Sequence, residues 1–157
     1  LVDVPPTLLD AAGIAAPEAL GTGLAGSCDA AILGSRIASQ AKSLAIHGRS
    51  VMPLARGERV ADWPDNVFVQ ISESQVGRAV RTRRWKYAVD APDRDGWNDI
   101  DSPRYVEQYL YDLEADPHEQ ENLVGRPEYR RVADQLAEVL VSRMVAVGEP
   151  APVIDRK

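Results

Sequence analysis

Apolar and polar residues alternate over Asn66-Val67-Phe68-Val69-Gln70-Ile71-Ser72, a period of two that predicts a half-buried strand. The pattern returns over Gly77-Arg78-Ala79-Val80-Arg81 and over Trp85-Lys86-Tyr87-Ala88-Val89-Asp90. Only the polar Thr82-Arg83-Arg84 separates these two runs, so they predict a hairpin. In a further run Tyr109, Tyr111 and Leu113 alternate with Leu110 and Asp112, which predicts a strand buried largely on both faces. Asp116-Pro117 breaks that run, since proline lacks a ladder donor and the aspartate can accept from the backbone beyond it. Leu123 then returns to the core. From Pro127 the period changes to that of a helix. Val132, Leu136, Val139, Leu140, Met144 and Val147 fall on one stripe, with Arg130, Arg131, Asp134, Gln135, Glu138 and Arg143 on the other face. Gly148 and Pro150 stop the helix at about Val147, and residues 149–157 read as a frayed tail.

At the other end of the chain, Asp3 is placed to cap a helix over Val4–Ala12 that stops at Gly13. The prolines in its first turn lose no hydrogen bond, and Val4, Leu8, Leu9 and Ala12 share its apolar face. Residues 21–47 are rich in Ala, Gly and Ser, with a weak helix predicted over about residues 35–46. Residues 91–105 are rich in Pro, Gly and Asp but lack the spacing and closing glutamate of an EF-hand. They read as a surface loop pinned by Trp97 and Tyr105.

Composition narrows the class. With 157 residues, 45% hydrophobic and 27% charged, the chain can bury one core and is not broadly disordered. A net charge of −6 argues against a nucleic-acid partner. No run approaches the roughly 18 apolar residues of a membrane span, so no membrane partner is expected. Cys28 is the single cysteine and excludes an internal disulfide.

Candidate chemistry is sparse. His47 and His118 are the only histidines and form no metal-binding spacing, so no metal site is expected in this chain. No phosphate-binding Gly-rich loop and no serine-hydrolase elbow occurs, and no catalytic residue is assigned. Arg78, Arg81, Arg83, Arg84 and Lys86 form the one dense basic cluster. Two readings stand: an anion-attracting rim, with Arg78, Arg81 and Lys86 as its candidates, or a solvated hairpin face paired with carboxylates such as Glu73 and Asp90. The second is preferred.

Several segments together resemble a known family. Leu110-Tyr111-Asp112-Leu113-Glu114-Ala115-Asp116-Pro117-His118-Glu119 with Asn122-Leu123 resembles the signature near the C-terminus of sulfatases of the alkaline phosphatase superfamily. The hairpin Gly77–Tyr87, the segment Gly48-Arg49-Ser50-Val51-Met52-Pro53-Leu54, and the stretch Val2–Ile14 resemble other pieces of the same family. The resemblance implies an α+β fold: a small antiparallel sheet of three to four strands with a long C-terminal helix packed across it. It divides the chain into residues 1–14 (a helix of the catalytic domain), 15–47 (an atypical linker or insertion), 48–147 (the C-terminal subdomain) and 148–157 (a tail). Leu1 lacks an initiator methionine or leader pattern and runs straight into a helix, so the start reads as a cut inside a longer protein.

Sulfatases hydrolyse sulfate esters with a formylglycine beside a divalent cation such as calcium, both in a large N-terminal part. The resemblance therefore implies no cofactor here, an N-terminal catalytic domain as partner, and a sulfated small molecule or sugar as substrate of the whole. Cys28 is followed by Asp29-Ala30-Ala31-Ile32, without the proline and arginine of the formylglycine motif, and reads as an incidental thiol. By this resemblance the chain completes the core and one wall of the substrate cleft and is catalytically silent alone. A free-standing interaction module, or the same part of a phosphonate or phosphate monoester hydrolase, are the alternatives.

Overall fold

The computed structural model describes residues 3–14 and 48–157. The chain divides into two compact units, residues 1–63 and 64–157. The weak helix over 35–46, the linker assignment for 15–47, Cys28 and His47 lie outside the described residues.

In the first unit, helix α1 spans Val4–Ala11 and a short helix α2 spans Met52–Ala55. Asp3 begins α1 but does not cap it as expected. Its backbone is already helical, and its Oδ1 accepts the Arg49 N–H at 2.8 Å instead. Thr7 Oγ1 accepts the Val51 N–H at 3.0 Å, and Asp10 Oδ2 accepts the Ser50 hydroxyl at 2.5 Å. Positions 3, 7 and 10 line one side of a helix, so α1 carries a polar stripe that ties down residues 49–51. Gly13 ends α1 as predicted, at φ 71°, with its N–H on Asp10 O and the Ile14 N–H on Leu9 O. On the apolar side, Val4 is exposed and Leu8 is 65% exposed.

The second unit is a five-stranded sheet in sequence order: β1 (Val67–Ser72), β2 (Val76–Arg81), β3 (Trp85–Asp90), β4 (Arg104–Asp112) and β5 (Val153–Asp155). The first four are antiparallel and β5 joins β4 in parallel. The predicted hairpin is present with Arg81 opposite Lys86, and the class is the α+β expected. Residues 149–157 are not frayed: Val153–Asp155 pair with Arg104–Val106, and Arg104 forms a two-pronged ion pair with Asp155.

Helix α3 (Arg130–Ala146), entered through a 3-10 turn at Pro127–Tyr129, covers one face of the sheet. Its buried stripe is Ala133, Leu136, Leu140 and Met144, at spacings of three and four. These pack with Val76, Val80, Tyr87, Val89, Tyr105, Leu110 and Leu123 in one cluster. Strand β4 is buried on one face, not two. Tyr105, Glu107, Leu110 and Asp112 point inward, while Tyr109 is exposed. The inward set changes parity because the β3–β4 register slips between Ala88 and Val89, leaving Gln108 as an extra residue.

Candidate functional site

The Tyr-Asp-Leu signature proves to be a backbone-holding device. Asp112 lies at the inner end of β4, where its carboxylate takes two hydrogen bonds from Arg84 Nε and one from Arg84 Nη2 at 2.7 Å. Asp112 Oδ1 also accepts the Glu114 and Ala115 N–H groups. Hydrogen bonding from Arg84 holds the Asp112 carboxyl below its ordinary pKa. Asp116 Oδ2 accepts the Glu121 N–H at 2.8 Å, so the aspartate takes a backbone donor beyond it, as read from the sequence. Asn122 Oδ1 accepts from Leu110 N and Val124 N while its Nδ2 donates to Gln108 O. Leu123 reaches the core, with its N–H on Leu110 O at 2.8 Å. Three of the signature's polar side chains are therefore spent on turning the chain.

The basic cluster splits up. Arg78 is only 3% exposed, on the inner face of β2. Its Nε donates to both oxygens of Glu149, its Nη1 to Gly77 O and Ile71 O, and its Nη2 to Ile100 O; its guanidinium lies 5.8 Å over the Tyr105 ring. The helix terminus delivers Glu149 to it. Gly148, at φ 93°, lets the Glu149 N–H return to Met144 O and swings the side chain toward the sheet. Arg84 serves Asp112 and stacks 4.8 Å over Trp85. Lys86 Nζ meets Glu119 at 2.5 Å, with Tyr111 5.9 Å away. Arg81 is exposed beside Lys86 on the outer face. The carboxylates that pair with this cluster are thus Glu149, Asp112, Glu119 and Glu114. Glu73 and Asp90 are not among them.

Sequence reasoning missed Glu107, which is 2% exposed beneath α3. Tyr87 Oη donates to its Oε1 at 3.0 Å, Arg130 donates to both oxygens, and the Lys157 N–H reaches Oε2 at 3.2 Å. Burial alone would raise its pKa, but the donors from Arg130, Lys157 and Tyr87 outweigh it and hold the carboxyl below the ordinary value. Burial, then the Glu107 charge, pushes the Tyr87 phenol well above its usual pKa. The available signal was a charged residue at an inward position of an alternating run.

Two further positions differ from expectation or match it simply. Trp97 does not pin the 91–105 loop, being 81% exposed. Gly96 does so instead: a Cβ there would stand 2.7 Å from Glu73 O and Gln75 N, so the loop backbone lies directly on the β1–β2 turn. His118 sits exposed in the acidic turn.

Among the described residues, no three of His, Cys, Asp and Glu converge on a point where a metal ion could sit. No described helix is long and apolar enough to cross a membrane.

The five-stranded, mostly antiparallel sheet with one covering helix places this chain in the class of sulfatase C-terminal regions. Residues 27–146 match the family described as N-sulphoglucosamine sulphohydrolase, C-terminal, and the chain belongs to that family. It is 26% identical over 141 residues to an N-acetylglucosamine-6-O-sulfatase of Bacteroides thetaiotaomicron, covering 88% of this chain and 20% of that protein. Among solved structures, it is similar to a 2-O GAG sulfatase, with a TM-score of 0.59, 25% identity, and coverage of 92% of this chain and 24% of that one. The phosphonate monoester hydrolase of Agrobacterium radiobacter shares the fold, with a TM-score of 0.57 at 19% identity, covering 92% of this chain and 24% of that one. The chain thus spans about a fifth to a quarter of the length of these relatives.

Proposed function

We propose that this chain is the non-catalytic C-terminal part of a sulfatase-type sulfuric ester hydrolase, completing the core of the enzyme and forming one wall of its substrate cleft. The observation that carries the reading is the match of residues 27–146 to a family described as a C-terminal region. The polar side chains described above support it, since Asp112, Asn122, Glu107 and Arg78 are all engaged with backbone groups or with Arg84, Arg130, Tyr87 and Glu149. The formylglycine and the divalent cation belong in this reading to an N-terminal catalytic domain, the principal partner. A sulfated sugar is the substrate of the whole, by likeness to the N-acetylglucosamine-6-O-sulfatase and the 2-O GAG sulfatase.

A second reading, the equivalent part of a phosphonate monoester hydrolase, is favoured by the Agrobacterium structure, which has nearly the same fold score. Both readings expect the pure 157-residue chain to hydrolyse neither sulfate esters nor phosphonate monoesters, with calcium or manganese supplied. Turnover above the blank would overturn the non-catalytic role. The intact mass of the native polypeptide is expected well above 17.1 kDa, and its upstream peptides would then distinguish a formylglycine precursor typical of the first reading.

A further inference from the structure

Residues 150–157 follow the last helix as a strap laid along the edge of β4, and none of them is buried. The strap leaves from a fixed point, since Glu149 is bound to Arg78. Pro150 and Pro152 have no N–H to donate. The Val153 N–H reaches Pro103 O at 2.9 Å, and the parallel pairing with β4 runs only from Val153 to Asp155. Pro152 and Ile154 of the strap, with Ala137, Glu138, Val141 and Ser142 of α3, line an open groove of about 430 Å3. The apolar side of the strap is therefore only partly packed.

Charge does most of the holding. Asp155 takes Arg104 in its two-pronged pair, Arg156 reaches Asp134 at 3.2 Å, and the Lys157 N–H reaches Glu107 Oε2. Arg130 joins the last two contacts, because it binds Glu107 and also Asp134 at 3.0 Å. Together they close a ring from Glu107 through Arg130, Asp134 and Arg156 to Lys157 and back to Glu107. The outer pairs are open to solvent, with Arg104 65% and Arg156 68% exposed. Pairs of that kind contribute little each and are screened by salt, whereas Glu107 is shielded from it.

We propose that residues 150–157 are an electrostatic latch that opens and closes as one piece while the sheet and α3 stay folded. Opening loses one short parallel pairing, the Asp155 and Arg156 ion pairs and the Lys157 hydrogen bond. The buried Glu107 carboxylate is not stranded by it, because Arg130 and Tyr87 remain as donors. Closing is directed by the order of charges. A slip of one residue would bring Arg156 to the place of Asp155 and set it against Arg104. The open form bares the β4 edge over Pro103–Val106 and the side of the groove formed by Ala137 and Val141. The latch does not depend on the sulfatase reading.

Hydrogen–deuterium exchange of the native-length polypeptide, read by mass spectrometry on peptides covering residues 130–146 and 150–157, tests the latch. At low salt residues 153–157 are expected to exchange more slowly than a free peptide, yet at least about tenfold faster than α3. Raising NaCl from about 0.05 M to about 1 M should speed residues 153–157 about threefold or more and leave α3 unchanged. Asp155→Asn should give the same acceleration at low salt and blunt the further effect of salt. Exchange of residues 153–157 in step with α3, free-peptide exchange at low salt, or no response to salt would each overturn the latch. If Asp155→Asn loosens α3 as well, the salt series on the unaltered chain decides alone.

Discussion

The two faces of the sheet use the same strands in opposite ways. Inward, Arg78 and Glu107 sit among Val76, Val80, Tyr87 and Leu110, and each buried charge has several donors or acceptors from distant parts of the chain. Outward, the centre is apolar and exposed, while the charged residues Asp90, Arg81 and Lys86 stand toward its ends. The inner face is complete by itself. The outer face has the composition of half an interface: an apolar middle and polar margins. Burying a charge is tolerable only when its partners are built in, so the charges at residues 78 and 107 mark the side whose partners belong to this unit.

Breaking the inner face should cost the most. Replacing Glu107 with Ala leaves Arg130 without its main partner and removes the acceptor of Tyr87. We expect a loss of about 3–5 kcal/mol in urea unfolding of the 157-residue chain. A loss below about 1 kcal/mol would mean that the network contributes nothing net. Next in size is Gly96→Ala, whose Cβ would meet the backbone of Glu73 and Gln75 at 2.7 Å. Separating the 91–103 loop from the β1–β2 turn should cost about 1–3 kcal/mol, and a wild-type midpoint would show that the loop gives way freely.

Acid should act through the same inner groups. Glu107 and Asp112 titrate lower in the folded chain than in the unfolded one, so their stabilisation is complete above the ordinary carboxylate range. It drains away as the pH falls through about 4 and below. Unfolding free energies measured between pH 7 and pH 2 should fall over that window, and Glu107→Gln should flatten part of the fall. Tyr87 works at the other end: its raised pKa gives stability that is lost as the pH rises above about 10. The smallest effects belong to the outer face. Val69→Ser and Tyr109→Gln should each change stability by no more than about 0.5 kcal/mol, yet lower the binding of a hydrophobic dye. Dye binding unchanged by both would show that this face is not the sticky one.

Much of the fold was legible because β1, the β2–β3 hairpin and α3 each keep one period along their length. Strand β4 was legible as a strand but not in its burial, because the slip at Gln108 changes which parity faces inward and two of the inward residues are acids. Strand β5 is three residues long beside Pro150 and Pro152, too short to show a period, and its parallel pairing has no turn to announce it. The basic cluster was visible as composition, but its division was not. Arg78 lies inside because a glutamate 71 residues away comes back to meet it, and no local spacing carries that information. Trp97 misled for a related reason: an aromatic in a polar loop suggests an anchor, while the anchor is the absence of a side chain at Gly96.

The pairing order leaves the sheet with unequal borders. At one border β5 shields part of β4, but among the described residues β1 is hydrogen-bonded on one side only and reads Val-Phe-Val-Gln-Ile-Ser, six residues without a charge or a proline. Proteins commonly blunt such a border with lysine, proline or a bulge, because an unpaired row of N–H and C=O groups templates a further strand. A chain of this sequence produced alone should therefore be prone to edge-to-edge association through β1, and a lysine at Gln70 should raise the concentration at which it stays monomeric.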